Sequence, residues 1–334
     1  MPTIQKLIAT ELTPDFRQAA ELVQEEIDGP GPGEVLVRNV VAGVNASDVN
    51  MTAGRYQPGV PPPLDLGFEA AGVVEAVGAG VEHLSEGDAV AFSVLGQGFR
   101  DLALIPAKLA VPVPEPSPEA LSVLVSGLTA SIALEQVGEL QAGETVLVTA
   151  AAGGTGQYAV QLAKRAGTTV FGTCGSDEKA ALLRDLGCDR PINYRSENVK
   201  AVLKAEAPDG LDVVYEAVGG ALFDTALRAL AVKGRLISIG FVGEYVDGPE
   251  RVTDVRVYHR LLSKSASVRG FFLPHYARHF REHMGRLLGL VTSGELRVAI
   301  DPAEFRGLGA VADAVEYLHS GRSRGKVVVW LDEG

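Results

Sequence analysis

Cysteine is nearly absent from this chain, which has only Cys174 and Cys188 among 334 residues. Two cysteines give no disulfide framework, and they suit a reducing compartment. Basic residues are also scarce, since 30 Lys and Arg stand against 42 Asp and Glu, and the formal net charge is −12. Because the basic residues are scattered rather than clustered, nucleic acid is not expected as a partner.

Long apolar runs are lacking too. The longest, near Ser122–Leu134, is interrupted by Ser, Gly and Thr and is too short to span a bilayer. The N-terminal stretch has no basic segment followed by an apolar core, so no secretory signal is expected. The chain also lacks a hydrolase-like Ser/His/Asp context and a G-x-x-x-x-G-K-[ST] loop. The sequence therefore predicts a cytoplasmic protein without a membrane span.

The most informative stretch is Val146–Ala166, which reads VLVTAAAGGTGQYAVQLAKRA. A short β-branched strand is followed by a turn of glycines and alanines and then by an amphipathic helix. A helix N-terminus carries unpaired N–H groups and a partial positive charge, so a pyrophosphate fits there. The turn therefore predicts dinucleotide binding at Ala152, Gly153, Gly154 and Gly156. The alternative is a tight strand-to-helix turn that binds nothing.

Strand and helix patterns alternate through the middle of the chain. Further strands are predicted at Thr169–Cys174, Asp212–Glu216, Arg235–Gly240 and Ala266–Gly270. Helices are predicted at Leu121–Leu134, Asp177–Leu186, Glu197–Ala205, Ala221–Leu230 and Ala277–Ser293. This alternation indicates an α/β fold with a doubly wound parallel sheet, and in such sheets ligands bind outside the carboxyl ends of the strands.

The first 120 residues have a different pattern, with short β-branched strands separated by Gly and Pro. A proline-rich junction, Val111–Ala120, ends this part, and a closing strand, Lys326–Leu331, is expected to return to it. The sequence therefore predicts two domains. Residues 1–122 and 274–334 form the β-rich catalytic domain, and residues 123–273 form the dinucleotide-binding domain.

The chain resembles the medium-chain dehydrogenase/reductase superfamily, in its zinc-independent quinone oxidoreductase branch. The match extends over nearly the whole chain and is carried by Gly43–Tyr56, Gly67–Gly78, Thr149–Gly167, Gly172–Tyr194 and Lys264–Tyr276. The resemblance implies a Rossmann domain, a GroES-like catalytic domain and an oxidoreductase activity.

The zinc ligands of zinc-dependent members are missing from the matching positions. Those members have a Cys where this chain has Asn45 and a His where it has Phe68, and they carry a lobe of four cysteines. A catalytic zinc needs about three protein ligands and a structural zinc four, so no metal is expected. The histidines at 275, 279 and 283 are spaced to share a helix face, as metal ligands or as a polar surface.

NADPH is the expected cofactor. An NAD site usually has an acidic residue at the end of the second strand, but here that strand ends at Cys174 and is followed by Gly175 and Ser176. Lys179 and Tyr194 lie where they can contact a 2′-phosphate, and relatives with these residues use NADPH. The alternative for Lys179 is a solvated helix residue.

The resemblance implies further cofactor contacts after the strand ends. These residues are Thr155, Ala217, Ile239, Phe241, Tyr245, Phe271, Phe272, Leu273 and Ser323. Ordinary core packing is the alternative for the segment from Phe271 to Leu273.

The expected reaction is hydride transfer to the β-carbon of a lipophilic α,β-unsaturated ketone, because a simple carbonyl without zinc lacks a Lewis acid. The enolate oxygen then needs hydrogen-bond donors. Tyr245 resembles the tyrosine beside the nicotinamide in prostaglandin reductases, Tyr56 resembles an active-site tyrosine of quinone oxidoreductases, and Asn45 is the third candidate. Asp48 is expected to orient the Asn45 loop, although both residues have the alternative role of holding a turn.

Two alternative functions remain open at this point, a quinone oxidoreductase and a non-catalytic NADPH-binding sensor or structural protein. The loop Val242–Tyr258 is expected to shape the substrate pocket. A possible edge strand at Ser265–Arg269, together with the resemblance, predicts a homodimer.

Overall fold

The computed structural model describes residues 2–249, 251 and 255–331. They form two units, one with the described residues up to Val125 and from Ala299 on, the other with Ser126–Val298. The segment 274–298, which the sequence assigned to the first domain, belongs to the second unit. There the helix Phe280–Thr292 packs on the helical segment Leu128–Ile132.

The first unit is built on antiparallel strands, as the sequence predicted. The strands are β1 (Thr3–Ala9), β2 (Ala20–Glu26), β3 (Glu34–Val44), β4 (Leu64–Asp65), β5 (Glu69–Val77), β6 (Ala89–Ser93), β7 (Leu102–Pro106), β8 (Val111–Pro112) and β15 (Val327–Trp330). One sheet has the order β2-β1-β4; the other has the order β15-β3-β5-β6-β8, with β7 also paired to β3. Buried and partly exposed residues alternate along β7, as expected for a strand with one face on the core.

Short helices complete the first unit. They are α1 (Phe16–Ala19), α2 (Asp48–Thr52), α3 (Pro118–Ser122) and α11 (Val311–His319). The core between the strands contains Val35, Val37, Phe92 and Ile105, all without solvent exposure.

The second unit contains a six-stranded parallel sheet with helices between its strands. The strands are β9 (Thr145–Val148), β10 (Thr169–Cys174), β11 (Arg190–Asn193), β12 (Leu211–Glu216), β13 (Leu230–Ser238) and β14 (Ser267–Gly270). Their order is β11-β10-β9-β12-β13-β14, which confirms the predicted doubly wound sheet and places β14 at one edge. The helices are α4 (Leu128–Ile132), α5 (Gly156–Arg165), α6 (Asp177–Asp185), α7 (Val199–Glu206), α8 (Gly220–Arg228), α9 (Tyr258–Leu261) and α10 (Phe280–Thr292).

The apolar run near Ser122–Leu134 lies in a longer helix than the sequence indicated. The helix extends over Pro118–Val137, 20 residues, with π-helical turns at Val123–Gly127 and Ala133–Val137. By length and composition alone this helix could cross a membrane, because it extends beyond the apolar run at both ends. However, 72% of its most apolar window is buried inside the protein, which is typical of a core helix.

Candidate functional site

The glycine-rich turn lies where the sequence predicted it, between β9 and α5. Ala150 has a positive φ of 46° and accepts a hydrogen bond from the backbone N–H of Gly153. A Cβ on Gly156 would lie 2.4 Å from the carbonyl oxygen of Ala150. The turn is thus folded closely on itself at the start of α5, and a side chain at Gly156 would displace its backbone. Ala152 is buried in this turn, and Gly154 is partly exposed.

Thr155 has its hydroxyl directed into the protein. Its Oγ1 lies 2.9 Å from the carbonyl oxygen of Ser126 and 2.8 Å from the hydroxyl of Tyr215. Tyr215 is fully buried at the end of β12. The side chain of Thr155 therefore anchors the start of α5, and the predicted pyrophosphate contact at this residue falls to its backbone.

No acidic residue directly follows β10, since Gly175 and Ser176 come next. Ser176 caps α6 by accepting from the backbone N–H of Lys179, while Asp177 accepts from the Asn193 amide at 2.8 Å. The hydroxyl of Tyr194 covers Gly175 so closely that a Cβ there would lie 2.6 Å from it. Beside this bare strand end, Lys179 is partly exposed and Arg195 is exposed, so both cations are accessible to an anionic group.

Glu216, which the sequence reasoning missed, organises the end of β12. Its fully buried carboxylate accepts from the backbone N–H groups of Val218 and Gly219 and from the hydroxyl of Thr149. Burial raises the pKa of this carboxyl. The same Thr149 hydroxyl accepts from the backbone N–H of Ala217, a predicted cofactor contact. The only sequence signal was an acidic residue directly after an apolar strand.

The segments after β12 and β13 are hydrogen-bonded to each other. The N–H of Ile239 donates to Glu216, and the N–H of Val242 donates to Ala217. Tyr245 is 7% exposed, and its ring packs edge-to-face on Phe241 with 4.9 Å between centroids. Its hydroxyl oxygen accepts from the Phe241 N–H at 3.4 Å. A Cβ on Gly240 would lie 2.8 Å from that hydroxyl, so Gly240 makes room for Tyr245.

The last predicted cofactor segment follows β14. Phe271 is nearly buried, donates its N–H to Ser238 and stacks on Tyr276 with 4.9 Å between ring centroids. Phe272 is 42% exposed, and Leu273 is partly exposed. All predicted cofactor residues of the second unit thus follow the carboxyl ends of β9 to β14, on the side of the sheet where these parallel strands end. Glu250 and 252–254, within the predicted pocket loop, lie outside the described residues.

The three histidines do not share one helix face. Leu273–His279 forms a 3-10 helix with non-helical backbone at Tyr276, and α10 begins only at Phe280. His283 is buried with its Nδ1 2.8 Å from the Ser131 hydroxyl, while His275 packs its ring on Phe272. Among the residues that the structure describes, no group of three His, Cys, Asp or Glu side chains is arranged to hold a metal.

A buried charged cluster surrounds Asn45 in the first unit. Lys326 is 1% exposed and Glu69 and Asp48 are fully buried. The Lys326 ammonium lies 2.5 Å from Glu69 Oε1, 2.8 Å from Asn45 Oδ1 and 3.1 Å from the carbonyl oxygen of Val44. Asp48 accepts from the backbone N–H of Asn45 at 2.7 Å, and burial raises its pKa to about 8.

Sequence reasoning found Asn45 and Asp48 but not the partners that hold Asn45. A Cβ on Gly43 would lie 2.5 Å from Glu69 Oε1, so this glycine makes room for the buried carboxylate.

The other predicted residues of the first unit are Tyr56 and Ser323. The Tyr56 ring packs edge-to-face on Phe68, with 5.1 Å between centroids. Phe68 therefore supports Tyr56 at the position where zinc-dependent relatives have a histidine. Ser323 is partly exposed in the turn before β15, next to Arg324, whose backbone N–H donates to Asp301.

Two family models match the chain. Residues 31–115 match the alcohol dehydrogenase GroES-like domain, and residues 154–289 match the zinc-binding dehydrogenase domain. The second description implies a zinc ion, but the residues present do not fit one. Where zinc-dependent relatives have a His and a Cys ligand, this chain has Phe68 and Asn45, and a phenyl ring does not bind zinc. The Asn45 carboxamide oxygen already accepts a hydrogen bond from Lys326, whose protonated amine is not a metal ligand.

Curated relatives and solved structures also match over nearly full length. Prostaglandin reductase-3 of Mus musculus is 50% identical, covering 98% of this chain and 90% of the relative. A probable quinone oxidoreductase of Leishmania amazonensis is 44% identical, covering 97% of each chain. The structure of Escherichia coli quinone oxidoreductase complexed with NADPH superposes with a TM-score of 0.84 at 28% identity, covering 98% of this chain and 99% of the other.

Proposed function

Since this chain belongs to the medium-chain dehydrogenase/reductase superfamily, we propose that it uses NADPH to reduce the C=C bond of lipophilic α,β-unsaturated ketones, such as 15-oxoprostaglandins. The observation that carries the proposal is the buried Tyr245 hydroxyl among the predicted cofactor segments at the carboxyl edge of the parallel sheet. The match to prostaglandin reductase-3 favours the enone as substrate class.

NADPH is the cofactor. The close turn at Gly156 and the α5 N-terminus fit a pyrophosphate. The tip of β10 fits a 2′-phosphate better than a bare ribose, because no acidic residue directly follows the strand and Lys179 and Arg195 are beside it. The solved relative from Escherichia coli holds NADPH.

When bound, NADPH supplies the hydride that reduces the β-carbon of the enone. The protein's part is to hold the carbonyl oxygen on which negative charge collects. Tyr245 is the first proposed donor to this oxygen, because its hydroxyl lies beside the Phe241 backbone in the predicted cofactor segment that follows β13. Tyr56 and Asn45 are the further proposed donors, and no step passes through a metal.

A quinone reductase is the second candidate function, favoured by the relatives that carry that name. The two activities differ in product. An enone gives one saturated ketone for each NADPH consumed, whereas an o-quinone sustains redox cycling.

The first experiment follows NADPH oxidation at 340 nm with enones of the 15-oxoprostaglandin type, simple alkenals and two quinones, each also with NADH. We expect rapid consumption with the enone, a strong preference for NADPH and recovery of the saturated ketone. Consumption with quinones alone would replace the enone proposal with the second candidate. Tight NADPH binding without turnover of any compound would favour a non-catalytic sensor.

Tyr245→Phe is expected to lower kcat for the enone by about 100-fold with little change in KM for NADPH, because one donor to the enolate oxygen is lost. Steady-state kinetics should be measured beside Tyr56→Phe and a control, Tyr317→Phe, whose hydroxyl contacts Asp301 in the first unit. Full turnover by Tyr245→Phe would remove Tyr245 from the mechanism.

We also propose that the protein is a homodimer paired through the edge strand β14, and that it is cytoplasmic. Its two cysteines are free and buried, which suits a reducing compartment.

A further inference from the structure

The cluster around Asn45 contains a lysine for which the proposed mechanism has no role. Lys326 precedes β15, and its ammonium is almost completely removed from solvent. An ammonium has three N–H donors, and three oxygens lie within hydrogen-bond distance of Nζ, from Val44, Asn45 and Glu69. Burial of a charge is costly unless it is paired and hydrogen-bonded, so this arrangement holds a satisfied, charged lysine.

The two charged partners also fix which way the Asn45 carboxamide faces. An ammonium can only donate, so the atom beside Lys326 must be Oδ1. An ionised carboxylate can only accept, so the atom 3.0 Å from Glu69 Oε1 must be Nδ2. Lys326 and Glu69, 257 positions apart in the sequence, therefore select one of the two amide orientations.

The selected orientation leaves a donor on the partly exposed Asn45 side chain. One Nδ2 hydrogen is donated to Glu69, and the other makes only a long hydrogen bond, 3.4 Å, to the carbonyl oxygen of Gly43, which a substrate oxygen can replace. In the opposite orientation, Oδ1 would face a ligand and repel an enolate oxygen. The second N–H is thus presented only while Lys326 and Glu69 hold the amide.

We propose that Lys326 is a positioning residue of the active site, which together with Glu69 locks Asn45 as a hydrogen-bond donor to the substrate oxygen. This inference rests on the proposed function. Lys326 itself does not touch substrate, and its effect passes through Asn45.

The test compares Lys326→Met, Glu69→Gln and the double variant. Each single variant leaves one buried charge without its partner, so we expect a lower Tm and a lower kcat. The double variant removes both charges, and we expect its Tm to return towards that of the wild type. Its kcat should stay about 10-fold or more below wild type, with KM for NADPH unchanged, because the amide is no longer oriented. Recovery of wild-type kcat in the double variant would overturn the proposal.

Lys6→Met is the matched control. Lys6 also pairs with two carboxylates of the first unit, Glu25 and Asp65, outside the Asn45 cluster. We expect it to lower Tm and leave kcat unchanged. An equal loss of kcat in Lys6→Met would make the Lys326 effect a general consequence of lost ion pairs.

A spectroscopic measurement on the wild type tests the orientation of the Asn45 amide without relying on the activity of any variant. With 15N-labelled asparagine, the Asn45 carboxamide resonance is identified by its loss in Asn45→Ala, and a saturated ketone is then added without NADPH. We expect one Nδ2 proton to shift downfield, and no shift would overturn the proposal.

If the wild type reduces no enone or quinone, the proposed function fails. Even then, the Asn45 resonance of Lys326→Met can be compared with that of the wild type. A changed resonance would show that Lys326 orients the amide, and an unchanged one would show that it does not.

Discussion

Gly156→Ala is expected to weaken NADPH binding by at least about 100-fold, because the added methyl group leaves the turn around the pyrophosphate no room. Its Cβ would lie 2.4 Å from the carbonyl oxygen of Ala150 and 2.8 Å from the backbone of Ala151. Both neighbours are backbone atoms of the same turn, so the turn itself must move. The N-terminus of α5 would then lose its alignment with the bound phosphates.

Binding should be measured by quenching of protein fluorescence or by calorimetry. Gly285→Ala is the matched control, because Gly285 lies within α10 and its Cβ would meet no atom within 4 Å. We expect the control to be more stable than the wild type by about 0.5–1 kcal/mol and to bind NADPH normally. Unchanged binding by Gly156→Ala would mean that the pyrophosphate lies elsewhere.

The parallel sheet was predictable because its strands are buried on both faces and are therefore continuous apolar runs. Thr169–Cys174 was predicted at its observed bounds, and most other elements of the second unit were displaced by one to three residues. The bounds of the strand Arg190–Asn193 were not predicted, because its sequence RPIN has one aliphatic residue and a proline. Tertiary pairing with β10 makes it a strand.

The helical pattern before α10 misled the prediction. Histidine spacing suggests one continuous helix from residue 275, but Leu273–His279 is a 3-10 helix whose backbone is non-helical at Tyr276. The helix α11 was missed altogether.

The candidate site was predictable where it follows the ends of parallel strands, because all those ends meet at one edge of the sheet. Tyr245 and Phe271 were predicted from the family resemblance, and both follow strands of this sheet. The cluster of Lys326 and Glu69 was not, since neither residue has a local pattern that distinguishes it from a surface charge. Their pairing depends on β15 joining β3, which also pairs with β5, and sequence spacing does not predict this strand order.

Asp48→Asn is expected to remove a large pH dependence of stability. Burial raises the pKa of Asp48 from the ordinary value of 3.8 to about 8. Between these values the native protein keeps a proton that the unfolded chain has lost, so the free energy of unfolding falls as pH rises. The slope from this one group is about 1.4 kcal/mol per pH unit, and the whole interval amounts to about 6 kcal/mol.

An asparagine at this position preserves the acceptor for the Asn45 N–H and does not titrate. We therefore expect Asp48→Asn to exceed the wild type in stability by about 1.6 kcal/mol at pH 5 and by progressively more up to about pH 8, where the difference levels off. Urea unfolding at intervals from pH 5 to 9 measures this difference, and groups common to both proteins, such as the buried Glu216, cancel. Asp209→Asn, on an exposed turn, should differ from the wild type by a constant amount. A constant difference for Asp48→Asn as well would show that Asp48 is already ionised at pH 5, with Lys326 as the source of its stabilisation.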